Sequence, residues 1–279
     1  MKLGLLISLR SMDEADARFE QAQNAGFTLC QLNLHGPCAG RADLARLAEQ
    51  MLEKQIRPLA IGCYVNPMRP DEAGPLGATR DDLSALLQHI DLLGARKVVC
   101  FSGSFADTLY DPHPDNSSRL ALERLSGFIS DIVENTRARN YQIVLEPWYG
   151  HVLSSEDRII EFHSMLEPAM REHVRYVLDA AALLTPERYP DRDSMVSRIC
   201  RSIGQAAGVV HLRDCVMPPD GEPGLPGPGQ GALDYGSYVL ELRKNVPSDT
   251  PAIVRNVPPD EYIEVRDYLQ SLSIPWALA

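Results

Sequence analysis

The sequence predicts a single-domain α/β protein over residues 1–279, folded as a closed (β/α)8 barrel, the TIM barrel fold. Short apolar runs alternate with longer segments of 3.6-residue periodicity, and eight of each fit in the 279 residues. This regular alternation indicates a parallel sheet, and barrels of this kind typically have about 250 residues. An open doubly wound sheet is the alternative, but no G-x-G-x-x-G follows the first strand.

All the predicted strands are short, and several are continuously apolar. Strands buried on both faces have this pattern, because helices cover one side of a parallel sheet and packed side chains cover the other. In order, the predicted strands are Leu3–Ser8, Phe27–His35, Arg57–Cys63, Lys97–Ser102, Gln142–Glu146, Arg175–Asp179, Gly208–Leu212 and Ala252–Asn256.

Capping signals mark the start of three helices. Ser11 and Glu14 have the spacing of a capping box. Thr79 precedes a second helix, and either Ser154 or Ser155 precedes the acidic first turn of a third. Hydroxyl side chains at these positions predict a helix start because their oxygen can accept a bond from a first-turn N–H group.

Three strand-to-helix loops are long: Tyr64–Ala78, Gly103–Asn116 and Arg213–Asp234. In a barrel they lie at the carboxyl ends of the strands, where active sites are built. The last loop is rich in Pro and Gly and could be a linker between two domains. We interpret it as a lid or binding loop, because the one strand and two helices after it are too few for a second core.

Composition narrows the class of partner and the compartment. The net charge of −11 repels nucleic acid and anionic lipid, so we expect neither as a partner.

The six cysteines form no C-x-x-C pair, which favours a reducing cytoplasm. The apolar amino terminus is too short for a membrane span and lacks a cleavage pattern. The sequence leaves the oligomeric state open, a homo-oligomer included.

Three polar residues occupy equivalent positions, at the carboxyl ends of three neighbouring predicted strands. Glu146, Asp179 and His211 end strands five, six and seven, at separations of 33 and 32 residues. Each separation is about one βα unit, so the side chains should stand at one level and could hold one divalent cation. Taken singly, each carboxylate could instead cap a helix or pair with an arginine, and the histidine could be a core residue.

Weaker candidates for substrate binding stand near other strand ends. We assign this role to Trp148, His35 and Arg213, which lie at the ends of strands five, two and seven. The loop after strand five, which also holds Tyr149 and His151, could shape a sugar pocket. Core packing is the alternative for Trp148, and solvated surface is the alternative for His151.

Several short sequence motifs, in their order along the chain and in their positions relative to the predicted strands, resemble the sugar phosphate isomerase/epimerase family with the xylose isomerase-like barrel. Each motif is weakly specific alone, and together they span nearly the whole chain. They are Leu145-Glu146-Pro147, Val177-Leu178-Asp179 with Leu183-Leu184-Thr185-Pro186-Glu187, His211-Leu212-Arg213-Asp214, Gly229-Gln230-Gly231-Ala232-Leu233-Asp234-Tyr235 and Pro258-Pro259-Asp260-Glu261-Tyr262.

The resemblance implies a metal site and an acid/base reaction. In the family, Glu, Asp, His and a second Glu from strands five to eight hold Mn²⁺, Mg²⁺, Co²⁺ or Zn²⁺, and the two glutamates move a proton beside a carbonyl. By resemblance, Glu146, Asp179 and His211 take the first three places. Glu146 is then the expected base, and the expected substrate is a small carbohydrate-like carbonyl compound.

The eighth strand departs from the family pattern. The second Glu falls on Arg255, which can neither ligate a metal nor act as a base at neutral pH. We expect Arg255 to face the two carboxylates and to be a catalytic residue beside Glu146. Its guanidinium could take Glu146 or Asp179 bidentately, which would leave the site without a metal or with a loosely held ion, or it could bind an anionic substrate. The alternative is that Arg255 extends out of the barrel and leaves three ligands for a metal.

Three functions compete. The first is an isomerase, an epimerase or a lyase of the dehydratase kind that acts on a polyhydroxylated carbonyl compound. The second is a catalytically silent sugar- or acid-binding barrel, which Arg255 favours. The third, an endonuclease IV-like DNA repair enzyme, is disfavoured because it needs three zinc ions, whereas most of the seven histidines lie away from strand ends and the charge is −11.

Overall fold

The structure, a computed structural model, describes residues 1–36, 40–73, 76–108, 111–136, 140–218, 224–272 and 276. Within these residues, eight parallel strands pair in chain order, and the first strand also pairs with the eighth. The sheet is therefore a closed barrel, which confirms the predicted fold class and excludes the open sheet.

The elements follow the predicted alternation, and each strand lies within two residues of its predicted bounds at both ends. The strands are β1 Lys2–Leu9, β2 Leu29–Leu34, β3 Arg57–Gly62, β4 Lys97–Phe101, β5 Gln142–Glu146, β6 Val174–Leu178, β7 Ala207–Leu212 and β8 Pro251–Val254. The α-helices are α1 Ala15–Asn24, α2 Arg41–Glu53, α3 Arg80–His89, α4 Arg119–Asn135, α5 Glu156–Met165, α6 Pro168–His173, α7 Arg192–Ile203, α8 Tyr235–Asn245 and α9 Tyr262–Ser271.

Two of the three predicted helix starts are correct. Thr79 makes a full capping box with Asp82 at the start of α3, and Ser155, not Ser154, caps α5 through its hydroxyl. The prediction at Ser11 is wrong, because its side chain makes no capping hydrogen bond. A short 3-10 turn precedes α1 there, and the backbone N–H of Arg10 instead donates to the Glu14 carboxylate at 3.4 Å.

The barrel has two apolar layers that fix which side chains enter its interior. A large outer layer packs between strands and helices, and a small inner layer fills the barrel. Successive strand residues point to opposite faces, so a residue two positions after an inner-layer residue also points inward. Such pairs of inner-layer residue and following polar residue are Val144 and Glu146, Val177 and Asp179, Val209 and His211, and Ile253 and Arg255.

The loop after β7 belongs to the barrel mouth. The Asp214 carboxylate ties its two ends together by accepting the N–H groups of Cys215 at 2.7 Å and Leu233 at 3.0 Å. Gly231 passes so close to Asp214 that a Cβ there would lie 2.4 Å from its Oδ1 atom. The chain then continues into α8 and β8 of the same barrel, so the linker interpretation is wrong. Residues 219–223 lie outside the described residues.

The cysteines in the described residues are five buried free thiols, and Cys38 lies outside those residues. Among the residues that the structure describes, no helix combines the length and the apolar character that crossing a membrane requires. The cytoplasmic compartment stays a prediction from cysteine usage.

Replacement of Gly62 by alanine tests the packing at the mouth. The added Cβ would lie 2.1 Å from Asn33 Oδ1 and 2.8 Å from the Tyr64 ring, both of them buried. We expect Gly62→Ala to lower the free energy of unfolding by about 1–3 kcal/mol in urea titrations. The matched control is Gly127→Ala in α4, where no atom lies within 4 Å of the new Cβ. That change should stabilise by about 0.5–1 kcal/mol, and equal effects at both glycines would contradict this account.

Candidate active site at the carboxyl-terminal mouth

Glu146, Asp179 and His211 meet at the carboxyl ends of β5, β6 and β7. One donor atom from each lies within 4.8 Å of those of the other two. The residues are nearly inaccessible, with 3%, 0% and 1% of their surface exposed. The structure thus brings together, as candidate ligands of one ion, the three residues that end neighbouring predicted strands.

Two guanidinium groups neutralise the two carboxylates. Arg255 points into the barrel, where its Nη1 atom donates to Glu146 Oε1 and lies 3.0 Å from His211 Nδ1. Arg213 places Nε 2.6 Å from Asp179 Oδ2. Arg255 therefore does not extend out of the barrel. The expected bidentate fork is wrong in detail, because one nitrogen bridges Glu146 and His211.

A chain of hydrogen bonds continues around the barrel wall from His211. The other ring nitrogen, Nε2, lies 3.0 Å from Gln31 Oε1. The Gln31 amide nitrogen donates to Asn33 at 3.0 Å and to the Tyr64 hydroxyl at 3.1 Å, and that hydroxyl donates to Glu146 Oε2 at 2.8 Å. Because Gln31 offers its oxygen to His211, Nε2 carries the ring proton and the Nδ1 lone pair accepts from Arg255.

Three further side chains of the site, Gln31, Asn33 and Tyr64, are not among the residues predicted above. The first two had a visible signal, since they are polar residues at i and i+2 in an otherwise apolar strand and so share its inner face. Tyr64 lies just past β3, but it continues the period of two from Ala60 through Gly62 and belongs to the inner layer. Its hydroxyl donates to Glu146 Oε2.

The pKa shifts indicate which groups are charged. Burial raises the pKa of the Glu146 carboxyl, but Arg255, His211 and Arg213 outweigh burial and hold that pKa below its usual value. Burial likewise acts on Asp179, where Arg213 leads the opposing charges and brings the pKa to about 2. Burial lowers the pKa of His211. Two carboxylates and two guanidiniums are therefore charged at neutral pH, His211 is neutral, and the charges of the cluster cancel.

The donor types suit a divalent metal, but their arrangement does not. Two carboxylates and an imidazole are common metal ligands. One atom of each candidate ligand nevertheless contacts a guanidinium nitrogen: Glu146 Oε1 and His211 Nδ1 contact Arg255, and Asp179 Oδ2 contacts Arg213. The other atoms of the three side chains contact Tyr64, Gln31 and the backbone N–H of Ala182. An ion would have to displace two cations and would add its charge to theirs. The residues present therefore do not fit a metal in this arrangement.

A cavity of about 280 Å³ opens onto this cluster. Its lining includes Glu146, Arg213 and Arg255, together with Trp148 and His151. The Arg213 guanidinium carbon lies 5.5 Å from the centre of the Trp148 ring. His151 is buried, with its ring edge-on to Phe101, so the solvated-surface interpretation of His151 is wrong.

His35 lies apart from this cluster. It lines a neighbouring cavity with Arg10, Glu14 and Tyr262, and Asn256 stands between the two cavities. Asn256 has a left-handed backbone, φ 58°, and its side chain donates to the carbonyl of Leu225 at 2.7 Å. His35 is thus placed beside the candidate site and outside the cavity that holds Glu146.

The comparisons with known proteins agree with this geometry. The sequence model of the xylose isomerase-like TIM barrel family matches residues 19–272. The chain belongs to this family. No curated protein matches the sequence.

Several solved structures share the fold of this chain at low sequence identity. A D-tagatose 3-epimerase-like protein has a TM-score of 0.70 and 15% identity over 97% of this chain and 96% of its own. L-ribulose 3-epimerase has a TM-score of 0.66 and 16% identity, with coverages of 97% and 94%. The IOLI protein with a bound zinc atom has a TM-score of 0.63 and 17% identity, with coverages of 97% and 96%. At these identities the likeness establishes the fold alone.

Removal of the Arg255 charge tests the buried ion pair. Arg255→Gln leaves Glu146 buried without its main counter-charge, and the pKa of that carboxyl should then rise above its usual value. We expect a loss of about 3 kcal/mol in unfolding free energy at pH 7. In the variant, Glu146 with its raised pKa takes up a proton as the pH falls from 7 toward the pKa of the unfolded chain, so the deficit should shrink between pH 7 and pH 4. The wild-type contribution, from a depressed pKa, is complete above the unfolded pKa and is lost only at lower pH, as the pH falls through the folded pKa.

The measurement is urea unfolding at several pH values, with Arg243→Gln on the exposed face of α8 as the control. The control should change stability by less than about 0.5 kcal/mol at every pH. A deficit of Arg255→Gln that stays constant with pH would show that the loss comes from packing rather than from the charge on Glu146.

Proposed function

We propose that this chain is an isomerase that moves a proton within a small polyhydroxylated carbonyl compound, with Arg255 in place of a metal ion. One observation carries the proposal: a buried carboxylate, Glu146, and a guanidinium, Arg255, share one wall of a small cavity at the catalytic face of the barrel. Proton transfer beside a carbonyl needs a base and a group that stabilises the oxyanion, and these two residues supply both.

The cavity supports a small polar substrate. Its lining combines charged groups with the Trp148 ring. In a pocket of this kind the aromatic ring packs against the apolar face of a sugar, and the polar groups fix the orientation of that sugar. L-ribulose 3-epimerase, which has the same fold, is named for a sugar reaction. We propose a substrate of the same chemical class for this chain.

In the proposed reaction, Glu146 removes a proton from the carbon next to the carbonyl. Arg255 donates an N–H group to the oxygen on which negative charge develops. The Tyr64 hydroxyl donates to Glu146 Oε2 at 2.8 Å and fixes the orientation of the carboxylate. Glu146 then returns the proton to the former carbonyl carbon, and the hydroxyl proton of the first carbon passes to the neighbouring oxyanion. The carbonyl has then moved by one carbon, and no proton is gained or lost.

One usable base favours isomerisation over epimerisation. Inversion at one carbon needs a proton removed from one face and returned to the other, commonly by two bases. Arg255 stands where the resembled family has its second glutamate, and Asp179, with a pKa of about 2 and Arg213 at 2.6 Å, is a poor base. Isomerisation and elimination each need a single base at the reacting carbon, so a dehydratase is the second candidate reaction.

Solvent exchange tests this proposal whatever the product of the reaction is. The protein is incubated in D2O with ketopentoses, ketohexoses, an inosose and dehydroshikimate, and proton NMR follows deuterium incorporation beside the carbonyl. We expect exchange with at least one compound, and a loss of about 10²-fold or more in Glu146→Gln. Arg243→Gln should exchange like the wild type. Saturable binding without exchange across the panel would contradict the proposal and favour the silent binding barrel.

Metal titration tests the role of Arg255. The wild-type protein should bind Mn²⁺, Co²⁺ and Zn²⁺ weakly in calorimetry and should retain its exchange activity after treatment with a chelator. Arg255→Glu supplies a carboxylate as a fourth ligand and removes one cation, so its metal affinity should rise by at least about tenfold, whereas Arg243→Glu should not change it. Stoichiometric tight metal in the wild type, with no gain in Arg255→Glu, would contradict the substitution.

A further inference from the structure

Arg213 has a donor that the charge cluster does not use. Its side chain follows Val209 and His211 on the inner face of β7 and is 5% exposed. The Nε atom faces Asp179 Oδ2 at 2.6 Å. The Nη2 atom is buried and has no hydrogen-bond partner among the described residues. A guanidinium donor that is removed from water and left without an acceptor costs free energy, so an acceptor is expected from a ligand.

A second unpartnered donor lies beside the first. The Trp148 indole nitrogen, Nε1, is buried and also lacks an acceptor within the described part of the chain. Trp148 and Arg213 line the same cavity, and the guanidinium carbon lies 5.5 Å from the centre of the Trp148 ring. The ring restricts the orientation of the guanidinium plane, so the Arg213 donors are held in place before a ligand arrives.

We infer that Arg213 binds the carboxylate of an acidic polyhydroxylated substrate, such as a sugar acid, in this cavity. The inference rests on the proposed function and adds the chemical class of the substrate. The carboxylate would lie at Arg213 and Trp148, and the carbonyl to be enolised would lie toward Glu146 and Arg255, which line the same cavity of about 280 Å³. Both ends of one small molecule are then bound.

Charge favours a carboxylate over a phosphate. Among the lining residues, Arg213 and Arg255 are the permanent cations, and each already faces a buried carboxylate. A singly charged carboxylate leaves one net negative charge in the cluster, whereas a phosphate dianion leaves two in a poorly solvated space. A planar carboxylate also matches the geometry of a guanidinium edge.

Matched acid and alcohol pairs test the inference. Calorimetry compares D-erythronate with erythritol and D-gluconate with D-glucitol, pairs that differ in one carboxylate. We expect the acid of at least one pair to bind wild-type protein at least about tenfold more tightly than its alcohol, because hydrogen bonds to an ionised group are roughly twice as strong as neutral ones. Equal affinities in both pairs would overturn the inference, and so would tighter binding of erythritol 4-phosphate than of erythronate.

The test variants keep the buried charges balanced. Arg213→Gln alone would leave Asp179 unpaired, so it is combined with Asp179→Asn, which removes both charges of the pair. This double variant should lose the preference for the acid and keep its affinity for the alcohol, and Arg243→Gln should keep both. A preference that survives in the double variant would contradict the role of Arg213. If circular dichroism shows that the double variant is unfolded, Arg213→Lys takes its place. This change keeps the positive charge but removes the planar pair of guanidinium donors, so it must reduce the preference for the acid over the alcohol.

The two proposals fail separately. Deuterium exchange into a neutral ketose, without any preference for acids, would refute the acidic substrate and leave the isomerase proposal intact. Preferential binding of the acids through Arg213, without deuterium exchange in any compound of the panel or in the corresponding keto acids, would support the ligand class and refute the proposed reaction.

Discussion

The mouth of this barrel depends on the compensation of buried charge. Glu146 and Asp179 are almost wholly buried on adjacent strands, and two carboxylates in such a place need positive charge nearby. Arg255 supplies it to Glu146 and Arg213 supplies it to Asp179, so the cluster is neutral without a further ion. The neutral His211 ring then fits between them as an acceptor from Arg255 and a donor to Gln31.

The period of two along a strand explains how much of this site the sequence can predict. Each polar residue at the ends of strands five to eight lies two positions after an inner-layer residue. The alternation of side chains along a strand is therefore enough to predict that four residues point into the barrel together: Glu146, Asp179, His211 and Arg255. The same rule applied to β2 adds Gln31 and Asn33. Applied to β3, it also places Tyr64, two positions after Gly62, on the inner face. It cannot predict that one Arg255 nitrogen bridges Glu146 and His211, because side-chain rotamers follow from three-dimensional packing.

The same electrostatics shape the chemistry proposed for the site. Arg255 lowers the pKa of Glu146, which weakens it as a base, but places a permanent donor beside the substrate oxygen that becomes charged. In the proposed reaction, Asp179 holds the Arg213 guanidinium and takes no part in proton transfer. A site of this kind gains an oxyanion stabiliser that needs no ion, and its remaining free donors select the ligand.

A crystal structure of the wild-type protein grown with Mn²⁺ and measured for anomalous scattering tests the central claim most directly. The account predicts no anomalous peak between Glu146, Asp179 and His211, with Arg255 Nη1 in contact with Glu146 and His211. A strong peak at about 2.0–2.3 Å from those three side chains, with Arg255 displaced from them, would contradict it.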